Sequence, residues 1–154
     1  LLGRELLAQG ISGSRDRMLK RFFNSSGGIL LGADSFWEGV DLPGKSLKVI
    51  VVTRLPFDPP ERPFVKAKYK WLEEQGLNPF VVDALPKAIL RMKQGLGRLI
   101  RSESDKGVMI VLDDRLVKAT YGKKIMNSLP STLVKETVSK EELQVNLTLF
   151  LNES

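Results

Sequence analysis

Two apolar, β-branched runs constrain the fold of this chain more than any other feature. Residues 47–53 (LKVIVVT) and 107–112 (GVMIVL) are almost continuously apolar, which is the pattern of strands that are covered on both faces. Between them lie two helical patterns, at residues 61–75 and 83–101. Strands that alternate with helices in this way predict an α/β fold, with a parallel sheet flanked by helices.

The remainder of the chain has the same pattern. We predict a strand at residues 5–11, a helix at 12–24 that Ser14 caps, a strand at 29–33 and a helix at 114–127. In open parallel sheets, ligands bind beyond the carboxyl ends of the strands. The loops after the predicted strands are therefore the expected place for a binding site.

Two further interpretations concern local packing. Asp113 and Asp114 could form an acid–base pair, but without a second cluster we favour a turn in which Asp114 caps the next helix. Trp71 is expected to pack in the core with Phe64 and Leu72.

Residues 131–154 form a tail beyond the α/β pattern. Their apolar side chains fit both a helix and a strand, so periodicity alone does not decide between the two. Ser139 and Glu142 have the spacing of a capping box, in which each side chain meets the backbone N–H of the other residue. We therefore expect one domain at residues 1–130 and a helical tail after it.

The amino-acid composition limits the chemistry that the chain can perform. The chain contains no cysteine and no histidine, which excludes thiolate zinc sites, iron–sulfur clusters, disulfides, cysteine nucleophiles and histidine bases within it. Its net charge of +6 favours polyanionic partners such as nucleic acid, although many basic domains are merely soluble. No apolar run has the length of a membrane span, and the lack of cysteine suits the cytoplasm, where we expect the protein.

Residues 39–46 match the phosphate-loop pattern G-x-x-x-x-G-K-[ST]. That pattern binds phosphates between a strand and a helix, because the helix amino terminus helps to hold the anion. The residues after Ser46 are β-branched and predict a strand instead. We therefore interpret the match as chance, and a stand-alone phosphate-loop enzyme that uses Lys45 is the weaker alternative.

The second predicted helix has two distinct faces. Its apolar side chains fall on one side of a helical wheel, and Gln94, Arg98 and Arg101 fall together on the other. Gly95 and Gly97 flank the polar face at a cost of about 1 kcal/mol each, which a close approach to the backbone would explain. Two arginines one turn apart can meet a polyphosphate, while a solvated basic face is the alternative that periodicity leaves open.

The segment from Gln94 to Arg101 (QGLGRLIR) resembles motif VI of superfamily two helicases, Q-x-x-G-R-x-x-R. Residues 35–44 (SFWEGVDLPG) resemble motif V as it occurs in the DinG/XPD branch, and residues 55–57 (LPF) resemble the segment after motif V in that branch. Order and spacing agree over residues 9–130. This ordered set, unlike motif VI alone, makes the chain similar to the second motor domain of a DinG/XPD-type helicase.

The resemblance implies a RecA-like P-loop NTPase fold, the second of two such domains, with the strand before motif IV missing. The first domain would supply the Walker A lysine and the carboxylates that hold Mg²⁺, so ATP and Mg²⁺ would be bound mainly there. Arg98 and Arg101 would reach the ATP phosphates, and Gln94 would organise that site. ATP contact and coupling are implied for Glu38, Gly39, Asp41 and Gly97, and nucleic-acid contact for Ser35, Phe36 and Trp37.

These expectations describe the second motor domain of an ATP-dependent DNA helicase. Its partners would be the first RecA-like domain of the same parent chain and single-stranded DNA, and the chain alone would not hydrolyse ATP. The alternative is a non-catalytic domain that binds single-stranded nucleic acid and is attached to a DinG-type exonuclease. Phe36 and Trp37 could stack on bases or pack in a core, and the sequence favours neither.

Overall fold

The computed structural model describes residues 4–32, 47–102 and 105–152, and these contain two parallel two-stranded sheets. Strand β1 (Leu6–Ala8) pairs with β2 (Ile29–Leu31), and β3 (Val49–Val52) pairs with β4 (Val108–Val111). The parallel pairing and the helical connections confirm the predicted α/β class. Each strand is shorter than its predicted range, and the described residues form two short sheets where we predicted one.

Helix α1 (Arg15–Asn24) is the crossover between β1 and β2. It begins after Ser14, whose hydroxyl accepts the backbone N–H of Arg17 at 3.4 Å, as predicted. Arg21 donates two hydrogen bonds to Glu5 beside β1, the shorter at 2.6 Å. Gly27 has φ +78°, a left-handed backbone that a side chain would strain, and it turns the chain into β2. These local signals explain why the β1–α1–β2 unit forms near its predicted position.

Two helices connect β3 to β4. Helix α2 (Pro63–Glu74) has proline at its first position and stops before Gly76, which has φ +74°. A π-helical turn (Phe80–Ala84) then leads directly into α3 (Leu85–Leu99). The apolar face of α3 belongs to one core cluster, which comprises Val52, Leu55, Leu85, Met92, Leu96, Ile125 and Leu129.

The predictions about packing around β3 and α2 are wrong in two places. Val51 is 52% exposed, so within the described residues β3 is not covered on both faces. Trp71 and Phe64 are 57% and 75% exposed, so neither packs in the core. Helical spacing instead turns Val65 and Leu72, two turns apart on α2, toward the interior.

The predicted helix at residues 114–127 is two helices, α4 (Arg115–Lys118) and α5 (Gly122–Ser128). Ala119 between them is extended, at φ −81° and ψ 146°. Gly122 packs so closely on α4 that a Cβ there would stand 2.1 Å from the carbonyl oxygen of Leu116. The close contact at Gly122 therefore accompanies a break between two helices, which the spacing of apolar residues did not predict.

Helix α6 (Lys140–Asn152) lies within the predicted tail, whose residues 131–139 are not helical. The backbone N–H of Ser139 donates to Glu142 Oε2 at 2.7 Å, and the N–H of Glu142 donates to the Ser139 hydroxyl at 3.2 Å. This is the predicted capping box, and its hydrogen bonds lower the pKa of Glu142. No helix in the described part of the chain has the length and apolar character to span a membrane.

Candidate functional site

One side of α3 carries Gln94 and Arg98, two of the residues predicted to act at the ATP site. At about 100° per residue, Lys87, Arg91, Gln94 and Arg98 lie on one line along α3, beside its buried apolar face. We name these four residues the polar flank. Gln94 is exposed, and Arg98 is partly buried with its Nε atom enclosed. The structure thus brings Gln94 and Arg98 to the same side of one helix.

Arg91 ties the polar flank to the loop after β3. Its Nη2 donates to Asp58 Oδ1 at 2.7 Å, and its Nη1 donates to the carbonyl oxygen of Pro56 at 2.9 Å. The side chains of Arg91 and Asp58 are only 15% and 10% exposed, so the pair is largely removed from water. A planar fork that holds two acceptors at once restrains direction as well as distance.

Lys87 extends this ion-pair network to the start of α3. Its Nζ lies 3.0 Å from Asp83 Oδ2 and 3.5 Å from Asp58 Oδ2, and Lys68 of α2 pairs with Asp83 Oδ1. Burial by itself would raise the pKa of both aspartates. The hydrogen bonds and charges of Arg91, Lys87 and Lys68 outweigh burial and hold both pKa values below their usual range.

This network is not among the features predicted from the sequence. A signal was present in the spacing of Asp83, Lys87 and Arg91, because residues four apart share one side of a helix. Asp58, however, lies 33 positions from Arg91 in a proline-rich loop that has no periodicity. No local pattern predicts which carboxylate such a helix will meet.

Arg101 lies beyond the end of α3, so the predicted carboxyl end of this helix is wrong. The helix ends at Leu99, and Ile100 is extended at φ −120° and ψ 110°. The backbone N–H groups of Arg101 and Ser102 both donate to Asp105 Oδ2, at 2.9 and 2.8 Å. This carboxylate holds the chain in a turn, and the exposed Arg101 is therefore not on the polar flank.

Gly97 stands on the outer side of α3, where it is exposed. A Cβ built on it would meet no heavy atom within 4 Å in the described part of the chain. Gly95, in contrast, is buried. Packing among the described residues therefore gives no reason for glycine at position 97, although glycine costs an α-helix about 1 kcal/mol relative to alanine.

The predicted motif V residues lie outside the described residues. They are Ser35, Phe36, Trp37, Glu38, Gly39 and Asp41, and Lys45 of the phosphate-loop match lies there too. The structure does describe the residues directly after this segment. Positions 47 and 48 are not helical, and β3 begins at Val49. The prediction that a strand follows Ser46 is therefore confirmed, and a phosphate loop requires a helix at that place.

A cleft opens at the carboxyl ends of β3 and β4, where a parallel sheet places its ligand-binding loops. It has a volume of about 330 Å³ and is lined by Thr53, Arg54, Leu112, Asp113, Asp114 and Arg115. Arg54 is exposed. Its guanidinium takes part in none of the ion pairs found among the described residues.

Asp113 joins the two loops that form this cleft. Its Oδ2 accepts the backbone N–H of Leu55 at 2.8 Å and Nη2 of Arg115 at 2.6 Å, and its Oδ1 accepts the Arg115 N–H at 3.1 Å. The hydrogen bonds from the Arg115 side chain outweigh burial and hold the pKa of Asp113 far below its usual range. Asp114 makes no cap hydrogen bond and pairs with Lys118, so Asp113 has the role that we predicted for Asp114.

Comparison with known proteins places the chain in a family. A family model described as the helicase C-terminal domain matches residues 2–132. The chain is 46% identical over 140 residues to the 3'-5' exonuclease DinG of Bacillus subtilis, which covers 90% of this chain and 15% of that protein. It is 39% identical over 123 residues to the ATP-dependent DNA helicase YoaA of Haemophilus influenzae, covering 80% of this chain and 19% of the relative.

A third relative, the ATP-dependent helicase DinG of Mycobacterium tuberculosis, is 37% identical over 122 residues, which are 79% of this chain and 18% of that protein. The chain therefore spans less than a fifth of the length of each of these relatives. The family match over residues 2–132 agrees with the resemblance that motifs V and VI indicated. This chain belongs to the helicase C-terminal domain family, in its DinG-like branch.

Proposed function

We propose that the chain is the second motor domain of an ATP-dependent DNA helicase. The observation that carries the proposal is the polar flank of α3, which presents Gln94 and Arg98 together near the carboxyl end of a helix whose apolar face is buried. A first RecA-like domain of the same parent would hold ATP, and closure of the two domains would bring Arg98 to the phosphates. Family membership supports this arrangement, because the relatives include proteins named as ATP-dependent helicases.

The chemistry that we assign to the chain is positioning and charge. The guanidinium of Arg98 would neutralise negative charge that develops on the transferring phosphoryl group, and Gln94 would orient a phosphate oxygen or the attacking water. Arg101, which is exposed beyond the helix end, would reach the same phosphates from the adjoining turn. Gly97 would let the opposing surface come close to the α3 backbone.

Mg²⁺ would be held by the first motor domain, where it would neutralise the charge of the β- and γ-phosphates. Within residues 4–32, 47–102 and 105–152, no group of three or more acidic side chains is arranged to hold a metal ion.

Single-stranded DNA is the proposed nucleic-acid partner, and the cytoplasm is the proposed site of action. The net charge of +6 and the exposed Arg54 beside the cleft support an electrostatic track for the DNA backbone. We retain the motif V residues as proposed contacts. Ser35, Phe36 and Trp37 are assigned to DNA, and Glu38, Gly39 and Asp41 to coupling between DNA and ATP.

The decisive experiment removes the Arg98 side chain in the parent protein. We expect Arg98→Ala to lower ATP turnover in the presence of single-stranded DNA by about 10³-fold or more, the range of an arginine finger. Lys93→Ala is the matched control, because Lys93 is an exposed cation on the same helix but off the polar flank. The isolated chain should show no turnover with or without Lys45→Ala, and turnover that depends on Lys45 would restore the phosphate-loop interpretation. Equal turnover for Arg98→Ala and Lys93→Ala would refute the assignment.

A second candidate function has one observation in its favour. The relative named 3'-5' exonuclease DinG matches more of this chain, and at higher identity, than the two helicases do. In that case the domain would bind single-stranded nucleic acid for a nuclease elsewhere in the parent. A parent that degrades single strands from the 3' end, lacks ATP turnover and is unaffected by Arg98→Ala would support this candidate over the helicase.

A further inference from the structure

We infer that Arg91 and Asp58 are positioning residues, whose contact sets where Arg98 stands for its part in ATP hydrolysis. The inference rests on the proposed function and adds two residues to it. Neither belongs to motif V or motif VI, and neither is assigned a direct contact with ATP. Their contribution would act through the geometry of α3.

Arg91 lies on the polar flank in line with Arg98. Arg98 is seven positions after Arg91, so the two side chains leave the helix within about 20° of each other. They are separated by about 10 Å along the helix axis. A restraint on the rotation of α3 at Arg91 is therefore also a restraint on the direction of Arg98.

The loop that Arg91 contacts is itself fixed. Leu55 and Pro56 are buried, and the backbone N–H of Leu55 is held by Asp113 from the end of β4. Arg91 then binds the carbonyl oxygen of Pro56 and the carboxylate of Asp58. The polar flank is thus connected, through one loop, to the carboxyl ends of both strands of the β3–β4 sheet.

The ion pair between Arg91 and Asp58 restrains direction more than it adds stability. A buried ion pair is weak evidence of stability, because removing two charges from water offsets much of their attraction. The pair does secure direction, since a guanidinium fork tolerates only a narrow range of acceptor positions. Direction matters at a phosphoryl-transfer site, where a shift of about 1 Å can cost about 100-fold in rate.

The experiment is a double-mutant cycle in the parent protein, with steady-state ATP turnover measured at saturating single-stranded DNA. We expect Arg91→Lys and Asp58→Asn each to lower kcat about tenfold to 100-fold, with little change in KM for ATP. Lysine cannot reproduce the two-acceptor fork. In an Arg98→Ala background the same two changes should have almost no further effect, because a residue that acts through Arg98 has nothing left to position.

The control is Lys68→Ala, which breaks the same network at Asp83 without touching Asp58. It should lower the melting temperature and leave kcat near normal. The inference would be overturned if the reductions in kcat from Arg91→Lys and Arg98→Ala multiplied in the double variant. It would also be overturned if kcat were unchanged in both Arg91→Lys and Asp58→Asn. If the Arg98→Ala variant kept normal ATP turnover, the proposed function would be refuted, and the inference with it. Should Arg91→Lys unfold, the near-isosteric Asp58→Asn decides.

Discussion

The backbone N–H of Leu55 donates to Oδ2 of Asp113 at 2.8 Å, which joins the loops after β3 and β4 across 58 positions of the chain. The hydrogen bonds of Asp113 are made by its ionised form. The folded state therefore keeps this carboxylate charged at a pH where the unfolded chain would bind a proton. The stabilisation is complete above the ordinary pKa of 3.8 and is lost as the pH falls below it.

The prediction is that the unaltered chain loses more unfolding free energy than Asp113→Asn when the pH is lowered from about 6 to about 3. Urea denaturation at the two pH values measures this difference. Asp114→Asn is the control, because its exposed pair with Lys118 contributes little. Equal pH dependence in the unaltered chain and in Asp113→Asn would show that the Asp113 contacts do not stabilise the fold.

Gly97 and Gly122, which have different surroundings, give a second prediction. Gly97→Ala should raise the unfolding free energy of the chain by about 0.5–1 kcal/mol, because alanine favours a helix and its Cβ meets no described atom. Gly122→Ala should lower it, because the new Cβ would stand 2.1 Å from the Leu116 carbonyl oxygen. Thermal or urea unfolding of both variants checks the two signs.

In the parent protein the same Gly97→Ala change should reduce ATP turnover, because the proposed partner surface approaches α3 there. A variant that is more stable and less active would separate the functional role of this glycine from its structural cost. Stabilisation with full activity would indicate that nothing approaches the helix at this position.

Arg101 provides a third prediction, which differs from that for Arg98 because the two residues are held differently. Arg101→Ala in the parent should lower ATP turnover strongly while leaving the melting temperature unchanged, since the side chain is exposed and outside the helix. Arg101→Lys should rescue poorly, because an ammonium group cannot contact two phosphate oxygens in a plane. Kinetics and melting curves of both variants test this, and normal turnover in Arg101→Ala would remove the residue from the site.

Asp105→Ala is the companion variant for Arg101. It removes the carboxylate that accepts the N–H groups of Arg101 and Ser102, and it leaves the arginine side chain itself in place. We expect ATP turnover to fall because the backbone of Arg101 is then no longer held by the Asp105 carboxylate. Full activity in Asp105→Ala would mean that the turn does not place Arg101.

Binding of single-stranded DNA gives a fourth prediction. The affinity of the chain for a labelled oligonucleotide should fall steeply with salt, because each phosphate contact releases counterions. Arg54→Ala should reduce the salt slope by about 1, the value for one lost phosphate contact. Lys66→Ala removes the same charge from an exposed position on α2, outside the cleft, and should change the slope less. If the salt dependence of DNA affinity were the same in the two variants, Arg54 would not be a phosphate contact of the proposed DNA track.

Features that depend on neighbouring residues were predictable from the sequence. Ser14 caps α1 and Ser139 with Glu142 caps α6, because a cap is decided within one helical turn. The apolar face of α3 was predictable for a similar reason, since periodicity states which side chains share one side. The parallel class of the sheets was predictable from apolar runs that alternate with helices.

Features that depend on distant partners were not predictable in this way. The Arg91–Asp58 pair spans 33 positions and the Leu55–Asp113 bond spans 58, so no local window contains both ends. The carboxyl end of α3 was misplaced because Asp105, in the next loop, captures the backbone N–H groups of Arg101 and Ser102. The roles of Gln94, Arg98 and Arg101 in ATP hydrolysis remain predictions, which kinetics of the parent protein and its variants will test.

The two sheets also differ in how far apart their strands lie along the chain, which bears on the order in which the molecule folds. Leu6 pairs with Ile29, 23 positions on, whereas Val49 pairs with Val108, 59 positions on. Closing the longer loop costs about 0.8 kcal/mol more in chain entropy, and local contacts form faster than distant ones. We therefore expect backbone amides of the β1–α1–β2 unit to gain protection from hydrogen exchange during refolding before those of β3 and β4.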